Sequence, residues 1–477
     1  MFIRNGEPIR LNDISHLSYT EFRGKICDGA RLLCLFGKPM QDGITRLFAV
    51  LSKENTGEFS CLTTDVKGSY PSLTLDCPQA HQFEREIFEQ YGITPEGHPW
   101  LKPIRQPDKY EFFQVQGEEI HEVAVGPVHA GIIEPGHFRF QCYGEEVLHL
   151  EISLGYQHRG IEKALIGGPN KRTIHYIETI AGDTTIGHTL AYCQTYEALA
   201  DCQVPPRAEV LRAIALELER IANHVGDLGA LAGDVGFLPT ASYCGRLRGD
   251  FLNMTALICG NRFGRGMVRP GGVAFDMNDD QIEEIQRRLE IGLRDVTSAV
   301  NLLWDTSSVL SQFEGTGKIT QGMAESLGLV GPVARACGIV RDVRHEFPFG
   351  IFCYSQVPVS KWDTGDVFAR AYVRWLEIQR SVTFIQEQLE ALPEGQTRII
   401  PDALTKNGFV VSLVEGWRGE ICHVAMTDNE GNFSHYKVVD PSFHNWMGLA
   451  MAMRDEQISD FPLFNKSFNL SYCGHDL

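Results

Sequence analysis

The chain has 477 residues, 43% of them hydrophobic and 22% charged, with a formal net charge of −18. This length and composition indicate a globular protein with enough residues for two or more domains. The negative charge disfavours nucleic-acid phosphates and anionic lipid surfaces as binding partners, so no nucleic acid is expected among the partners.

The 13 cysteines are irregularly spaced, and no two of them form a C-x-x-C pair. This pattern disfavours a disulfide framework, a zinc ribbon and a self-bound iron–sulfur cluster, and it is typical of reduced thiols. The N-terminus has no apolar segment of the kind found in signal peptides, and no apolar run is long enough to cross a membrane. We therefore expect a soluble chain that reaches any membrane through its partners.

Residues 1–110 are predicted to form a small α/β domain. Apolar or alternating stretches at 26–36, 47–51 and 59–64 predict strands. The spacing of apolar residues predicts a helix over 80–91, which Gly92 ends.

Residues 84–99 carry a recognisable pattern of short motifs, namely ERE at 84–86, YGI at 91–93 and HP at 98–99. This pattern resembles the signature of the 30 kDa subunit of respiratory complex I. An ion-pair patch that docks the neighbouring domain or subunit is a better interpretation of the charged side chains than a catalytic site. The patch would consist of Glu84, Arg85, Glu86 and His98.

A linker is predicted over 111–124, and the second domain then occupies 125–477. Alternating apolar residues predict a β-ribbon over 138–150, with a turn at 144–145. His137 lies just before this ribbon. One interpretation is a histidine bonded within its own turn. Complex I relatives that reduce quinone carry, in a similar loop, a histidine that approaches the quinone headgroup, so the resemblance implies a site role for His137, although there the histidine precedes the glycine.

The sequence HRGIEKAL, at 158–165, resembles the HRGxEK segment that membrane-bound nickel–iron hydrogenase large subunits share with their complex I relatives. In the hydrogenases, the segment that matches 179–188 reads R-x-C-G-x-C-x-x-x-H, and its two thiolates bind nickel and iron. Gly182 and His188 match this pattern, whereas Ala181 and Thr184 occupy the cysteine positions. A methyl group cannot ligate a metal, and a neutral hydroxyl is a poor ligand for a soft metal site.

The C-terminal segment shows a related substitution. Hydrogenase large subunits end in D-P-C-x-x-C, and in this alignment Cys473 keeps one thiol while Asp476 replaces the other. A site with one thiolate, an imidazole and a carboxylate is chemically feasible, but a metal-free cavity is the preferred interpretation. We call the four positions that match the cysteine ligands of the hydrogenases the vestigial ligand positions: Ala181, Thr184, Cys473 and Asp476.

The sequence EGWRGE, at 415–420, resembles the family motif E-x-P-R-G-E, with Trp417 in place of proline. The resemblance implies that Arg418 lies over the former metal site. A buried arginine needs carboxylate or backbone partners, and the candidates are Glu162 and Asp183. Glu162 matches the hydrogenase residue that relays protons, and its alternative role is an ion pair with Arg159 or Arg418.

The remaining patterns predict long helices and one late sheet. Amphipathic spacing predicts helices over 206–225, 278–301, 319–329 and 367–389, and apolar runs predict strands at 409–414, 420–426 and 433–439. His224 is expected to be a hydrogen-bonded histidine in the core. The fold class is therefore α+β: a small N-terminal α/β domain followed by a mainly α-helical domain of the hydrogenase large-subunit type with small β-sheets.

The matched segments identify the chain as a member of the energy-converting hydrogenase-related and formate-hydrogenlyase-type large subunits. A domain like the 30 kDa subunit of complex I is fused to one like the 49 kDa subunit. The resemblance implies a peripheral position on the cytoplasmic face of the cell membrane. It also implies a small partner subunit with a 4Fe-4S cluster, a ferredoxin-like subunit and antiporter-like membrane subunits. No cofactor is expected on this chain itself, and a quinone is the candidate substrate.

The expected function is that of an oxidoreductase subunit, which takes electrons from the partner's cluster and couples redox chemistry to ion translocation. One alternative is a non-catalytic, proton-coupling subunit, and another is a nickel–iron hydrogenase, which the missing cysteines disfavour. The residues assigned to chemistry are Glu162, Asp183, His188, Arg418 and His137, and those assigned to cofactor contact are Tyr156, Tyr176 and Arg159.

Overall fold

The computed structural model describes residues 2–131 and 133–477. The first elements are β1 (Phe2–Arg4), β2 (Ile9–Arg10), β3 (Ser15–His16), α1 (Tyr19–Cys27), β4 (Arg31–Pro39), β5 (Thr45–Lys53), β6 (Glu58–Val66), β7 (Ser69–Pro71), α2 (His81–Tyr91) and β8 (Thr94–Glu96). Five strands form one sheet in the order β1-β6-β5-β4, with β3 parallel to β6. Helix α1 packs on β6 and helix α2 on β4, which buries the central strands.

Most of the elements predicted in this region are confirmed. The strands predicted at 47–51 and 59–64 lie inside β5 and β6, and α2 ends at Gly92, whose φ is +68°. The strand predicted over 26–36 is wrong at its start, because Ile26 belongs to α1. Ser18 and Glu21 form a capping box that begins this helix, so the strand starts only at Arg31.

The next elements are β9 (Ile120–Val125), β10 (His137–Tyr143), β11 (Glu146–Ser153), α3 (Ile161–Leu165), α4 (Thr173–Ile177) and α5 (Thr185–Leu199). The predicted β-ribbon is confirmed as β10 and β11, and β9 pairs with β10 as a third antiparallel strand. Strand β9 begins inside the segment that was expected to be a linker. Three short or medium helices follow over 155–199.

A helical bundle forms the centre of the second region. Its elements, with one small ribbon, are α6 (Pro206–Asp234), α7 (Leu238–Cys259), β12 (Val268–Arg269), β13 (Gly272–Val273), α8 (Asp279–Trp304), α9 (Ser307–Phe313), α10 (Gln321–Leu327), α11 (Gly331–Ala336), α12 (Val343–Glu346) and α13 (Val367–Glu390). Helix α6 packs against α7 and α13 and is buried over most of its length. Helix α10 is shorter than predicted, because Thr320 caps its start and Gly328, with φ +68°, ends it.

The last elements are β14 (Gly408–Gly416), β15 (Gly419–Thr427), β16 (Phe433–Val439), α14 (Pro441–Ala452), α15 (Phe461–Phe468) and α16 (Tyr472–His475). The sheet order is β16-β15-β14-β2, so a strand from the first ten residues completes this distant sheet. Strands β14 and β15 are buried throughout, and α5 packs on both. The predicted α+β class is confirmed. In the two described ranges, no helix is both long and apolar enough to cross a membrane.

Candidate functional site

A two-pronged ion pair between Arg418 and Asp183 lies at the centre of the candidate site. Arg418 Nη1 and Nη2 donate to the two carboxylate oxygens of Asp183 at 2.6 and 2.8 Å, and Nε donates to the carbonyl of Asn469 at 2.6 Å. The guanidinium also stacks 3.9 Å from the ring centroid of Trp417. Burial alone would raise the pKa of Asp183, but Arg418 outweighs this effect and holds that pKa below its usual value.

The backbone around Arg418 is shaped by a close approach of two loops. Arg418 occupies the turn between β14 and β15, and its carbonyl faces Gly331 at the start of α11. Gly331 has φ +68°, and a Cβ there would lie 2.1 Å from the Arg418 oxygen. Only glycine allows the two backbone segments to approach this closely.

The first two vestigial ligand positions are filled by ordinary protein contacts. Ala181 and Thr184 are both buried. The Thr184 hydroxyl donates to Asp183 Oδ1 at 3.1 Å and accepts from Trp417 Nε1 at 3.1 Å and from Arg418 at 3.2 Å. Protein contacts therefore use the hydrogen and both lone pairs of this hydroxyl, and no lone pair is left for a metal.

Cys473 is buried, and its Sγ lies 3.4 Å from Ser471 Oγ. Burial, helped by the nearby Glu134 carboxylate, raises the pKa of Cys473 to about 12. Metals bind the thiolate rather than the thiol, so ligation by Cys473 would require this buried thiol to lose its proton.

Asp476 fastens the C-terminal segment to the loop after β11. One oxygen accepts from the backbone N–H groups of Gly155 and Gln157 at 2.8 and 2.9 Å, and the other lies 2.8 Å from His475 Nδ1. In the described part of the chain, no group of three or more His, Cys, Asp or Glu side chains is arranged to hold a metal ion. The residues at the four vestigial positions therefore do not fit a nickel–iron centre.

His188 lies behind this cluster and is fully buried. Its Nε2 is 3.0 Å from Asp440 Oδ2, and its Nδ1 is 3.2 Å from His423 Nε2. Asp440 caps the start of α14 and is not among the site residues predicted from the sequence. The sequence Asp-Pro at 440–441 is typical of a helix start, but it does not indicate a histidine partner 252 positions away.

Glu162 does not pair with Arg159 or Arg418, and both suggested ion pairs are wrong. Its Oε1 accepts from Lys437 Nζ and from the Val438 backbone N–H, both at 2.9 Å. Arg159 instead donates to the carbonyl oxygens of residues 179 and 180. The reason is the position of α3, which packs on β16 and brings Glu162 to the buried lysine.

The expected docking patch is partly correct. Lys437 also donates to Glu86 Oε1 at 2.6 Å, and Arg105 donates to the same oxygen at 2.7 Å, so Glu86 joins α2 to β16. Glu84 instead accepts bonds within its own region, from residues 72, 73 and 74. Burial opposes the charge of Glu86, but Lys437 and Arg105 lower its pKa to about 2.

The other predicted site residues lie around the margins. His137 is buried, with Nδ1 3.2 Å from the Gly126 carbonyl, and Arg139 Nε donates to its Nε2 at 3.1 Å. His137 begins β10, so its partners are Gly126, just after β9, and Arg139 of its own strand, rather than groups within its own turn. Tyr156 is 38% exposed and Tyr176 is half-buried, so both remain accessible at the surface near α3 and α4.

Glu219 is a further polar residue at the site, and it is not among the site residues predicted from the sequence. Its two oxygens accept from the backbone N–H groups of Ile186 and Gly187 at 2.7 and 3.1 Å, at the start of α5. With Asp183 and Asn223 it lines a cavity of about 10 Å³, room for about one water molecule. Burial raises the pKa of Glu219 to about 8.

Comparison with protein families gives two matches. Residues 32–116 match the family described as "Respiratory-chain NADH dehydrogenase, 30 Kd subunit", and residues 234–407 match the "49 Kd subunit" family of the same enzyme. The order of the two matches agrees with the fused arrangement expected from the motifs.

Similar curated proteins cover between 72% and 94% of the chain. Formate hydrogenlyase subunit 5 of Escherichia coli is 28% identical over 94% of this chain and 85% of its own. The carbon monoxide-induced hydrogenase of Rhodospirillum rubrum is 31% identical over 73% of this chain and 97% of its own. NADH-quinone oxidoreductase subunit 4 of Thermus thermophilus is 30% identical over 72% and 90%.

A solved structure shares the fold. A chain of the membrane-bound sulfane sulfur reductase, an archaeal respiratory membrane complex, superposes with a TM-score of 0.71 at 21% identity. The match covers 76% of this chain and 99% of that chain.

Proposed function

The chain belongs to the family that contains the 49 kDa-type subunit of NADH-quinone oxidoreductase and the large subunits of membrane-bound hydrogenases, and we propose that it is the peripheral redox subunit of such a complex, working without a nickel–iron centre. It takes electrons from a 4Fe-4S cluster in a small partner subunit and passes them to a non-hydrogen acceptor, with a quinone as the first candidate. A ferredoxin-like subunit and antiporter-like membrane subunits complete the complex, which couples electron flow to ion translocation. The chain lies on the cytoplasmic face of the membrane, held there by these partners.

The Arg418–Asp183 pair is the single observation that carries this proposal. A nickel–iron centre needs four thiolates, whereas here a guanidinium and a carboxylate bond each other and the Thr184 hydroxyl. The remaining thiol, Cys473, is kept protonated by burial. Hydrogen chemistry at a metal therefore has no support from these side chains.

The acceptor would bind at the surface rather than inside this chain. The cavity beside Asp183 holds about 10 Å³, which is far too small for a quinone ring. Tyr156 and Arg159 are exposed on the loop between β11 and α3, and Arg159 reaches the carbonyl oxygens of residues 179 and 180, in the segment before Asp183. We assign them, with Tyr176, to an acceptor site that is completed by the partner subunit.

The test is elemental analysis and turnover of the complex purified with its partners. The proposal predicts iron at the level of the partner's clusters, nickel far below one atom per chain, and quinone reduction without hydrogen uptake. Stoichiometric nickel or hydrogen-dependent reduction would overturn it. Tyr156→Phe should lower quinone reduction, with Tyr243→Phe, a similarly exposed tyrosine on α7, as the matched control.

A non-catalytic, proton-coupling role is the second candidate. Its support is that Glu162 Oε1 and Asp476 accept hydrogen bonds that join separate segments of the chain. A complex whose clusters are reducible, but which turns over no acceptor at this subunit, would favour that role.

A further inference from the structure

A small cavity lies between helix α2 of the N-terminal region and helix α14 of the second region. Side chains from α2, the loop after β8, strand β11, α14 and α16 line it. Its volume is about 30 Å³, which is room for about two water-sized groups. The cavity is separate from the smaller one beside Asp183 and shares no lining residue with it.

Two buried side chains on the wall of this cavity each have a polar atom without a hydrogen-bond partner. His81 is 8% exposed and Trp446 is 2% exposed, and within the described ranges neither His81 Nδ1 nor Trp446 Nε1 bonds any protein atom. Burial holds the pKa of His81 well below its usual value, so this ring is neutral. An indole N–H can only donate, and a neutral imidazole can donate from Nδ1. Because buried polar groups are normally paired, both atoms indicate a hydrogen-bond acceptor inside the cavity.

Arg85 adds a positive charge to the same wall. It is 5% exposed, Nε and Nη2 donate to two backbone carbonyl oxygens of the loop after β8 at 2.7 and 2.9 Å, and the guanidinium lies 4.7 Å from the ring centroid of Trp100. Among the described residues, no carboxylate forms an ion pair with it. Burial lowers the pKa of Arg85, and Tyr110, Glu89 and Glu151 offset this effect only partly. A buried cation without an ionic partner is costly, so an anion in the cavity would be stabilising.

A largely apolar groove adjoins the cavity. Its volume is about 310 Å³, within the range of ligand pockets. Trp100, Met447 and Ala450 line both spaces, so the groove and the cavity meet at these residues. The groove is also lined by Met451 and by Phe113, which is 53% exposed. Methionine side chains adapt to apolar ligands of different shapes, and the groove therefore suits a hydrocarbon chain.

We propose that this cavity and groove bind an unbranched aliphatic monocarboxylate, with its carboxylate against Arg85, Trp446 and His81 and its hydrocarbon chain in the groove. The cavity has room for the two oxygens of a carboxylate but not for a ring, which selects a slender head group. Lys102 and Glu151, which also line the groove, pair with each other at 2.5 Å and leave Arg85 to the ligand. The bound acid contacts both α2 and α14. This site does not depend on the redox function proposed above.

The test is equilibrium dialysis of the purified 477-residue chain, in buffer without detergent, against decanoate and separately against 1-decanol. The two probes have the same chain length and differ in the charged head group. We expect one decanoate per chain, bound more tightly than 1-decanol by about tenfold, since a hydrogen bond to a charged group contributes more than a neutral one. Arg85→Met should remove this preference. Equal affinities for the two probes in the unaltered chain would overturn the proposal.

Trp446→Phe should weaken decanoate binding by about fivefold, because it removes one hydrogen-bond donor. Trp304→Phe is the matched control: the Trp304 indole nitrogen is also buried and without a partner in the described ranges, but it lies between α8 and α13. Decanoate affinity should be unchanged in this control. Equal effects of the two substitutions, or no decanoate binding by the unaltered chain, would contradict the proposed site.

Neither tryptophan substitution breaks a hydrogen bond within the described protein, so both variants should fold, and they decide the result if Arg85→Met does not. The measurement requires no turnover and no partner subunit. Its outcome is therefore separate from that of the quinone assay.

Discussion

The ammonium group of Lys437 lies 2.6 Å from a carboxylate oxygen of Glu86, although the two residues are 351 positions apart in the chain. Both side chains are nearly inaccessible, with 4% and 2% exposure. The contact joins helix α2 of the N-terminal region to strand β16 of the last sheet, and Arg105 and Glu162 complete a four-residue charge cluster there.

Lys437→Met should lower the free energy of unfolding by about 3–5 kcal/mol, because it leaves two buried carboxylates without their shared cation. Urea unfolding followed by tryptophan fluorescence measures this loss. Lys38→Met is the matched control, since Lys38 reaches the same sheet through a partly buried bond to Ser434. The control should cost about 1 kcal/mol, and equal losses would show that the cluster has no special role.

Asp183→Asn should destabilise the protein by about 1–3 kcal/mol, between the values for exposed and for fully buried ion pairs. The intermediate value is expected because Arg418 is 5% exposed, whereas Asp183 is 33% exposed. A double-mutant cycle with Arg418→Met measures the coupling free energy. The same double-mutant cycle on the more exposed ion pair between Arg46 and Asp65 is the reference. A coupling free energy for Arg418 and Asp183 that is no larger than that of the reference would contradict the expected effect of burial.

Cys473→Ser should leave the metal content and the acceptor reduction of the complex unchanged. The thiol is protonated, and a hydroxyl can reproduce its 3.4 Å contact with Ser471. Elemental analysis and turnover of the two complexes in parallel provide the measurement. Loss of one metal atom per chain in the variant would mean that Cys473 is a ligand after all.

Stability should fall as the pH drops from about 6.5 towards 4, and His444 should contribute to this loss. Burial lowers the pKa of His444 from 6.5 to about 4, so the unfolded chain binds a proton that the folded chain does not. The contribution is present above the unfolded pKa, disappears as pH falls through this window, and amounts to about 3 kcal/mol. His444→Gln should reduce the slope of melting temperature against pH between these values. An unchanged slope would indicate that the ring is protonated in the fold.

The motifs were sufficient to predict the family and the fold class, and they narrowed the partner of Arg418 to two residues. Asp183 was one of two candidates for that partner, and both it and the arginine lie in segments with family patterns. Long amphipathic helices were also predictable, because their apolar spacing is local. The ends of helices were harder to predict from apolar spacing. For example, α10 is shorter than predicted because Thr320 caps its start and Gly328 ends it.

The partners of Glu162 and His188 could not be predicted from local patterns. Lys437 is 275 positions from Glu162, and His423 is 235 positions from His188. These pairs exist because β15 and β16 are buried strands whose inward side chains meet α3 and α5. A buried Lys or His inside a strand is informative in such a case, since it requires a polar partner that must come from elsewhere in the chain.

Strand β2 has a consequence for how this chain could be divided. Residues Ile9 and Arg10 pair with Phe409 and Gly408 of β14, whereas β1 pairs with β6. The first ten residues therefore contribute strands to both the first sheet and the last sheet. If the chain were cut between 111 and 124, the N-terminal piece would still donate an edge strand to its counterpart. The two pieces should therefore assemble only by co-folding, and a chimaera that exchanges the N-terminal region between relatives would need a compatible strand at residues 9–10.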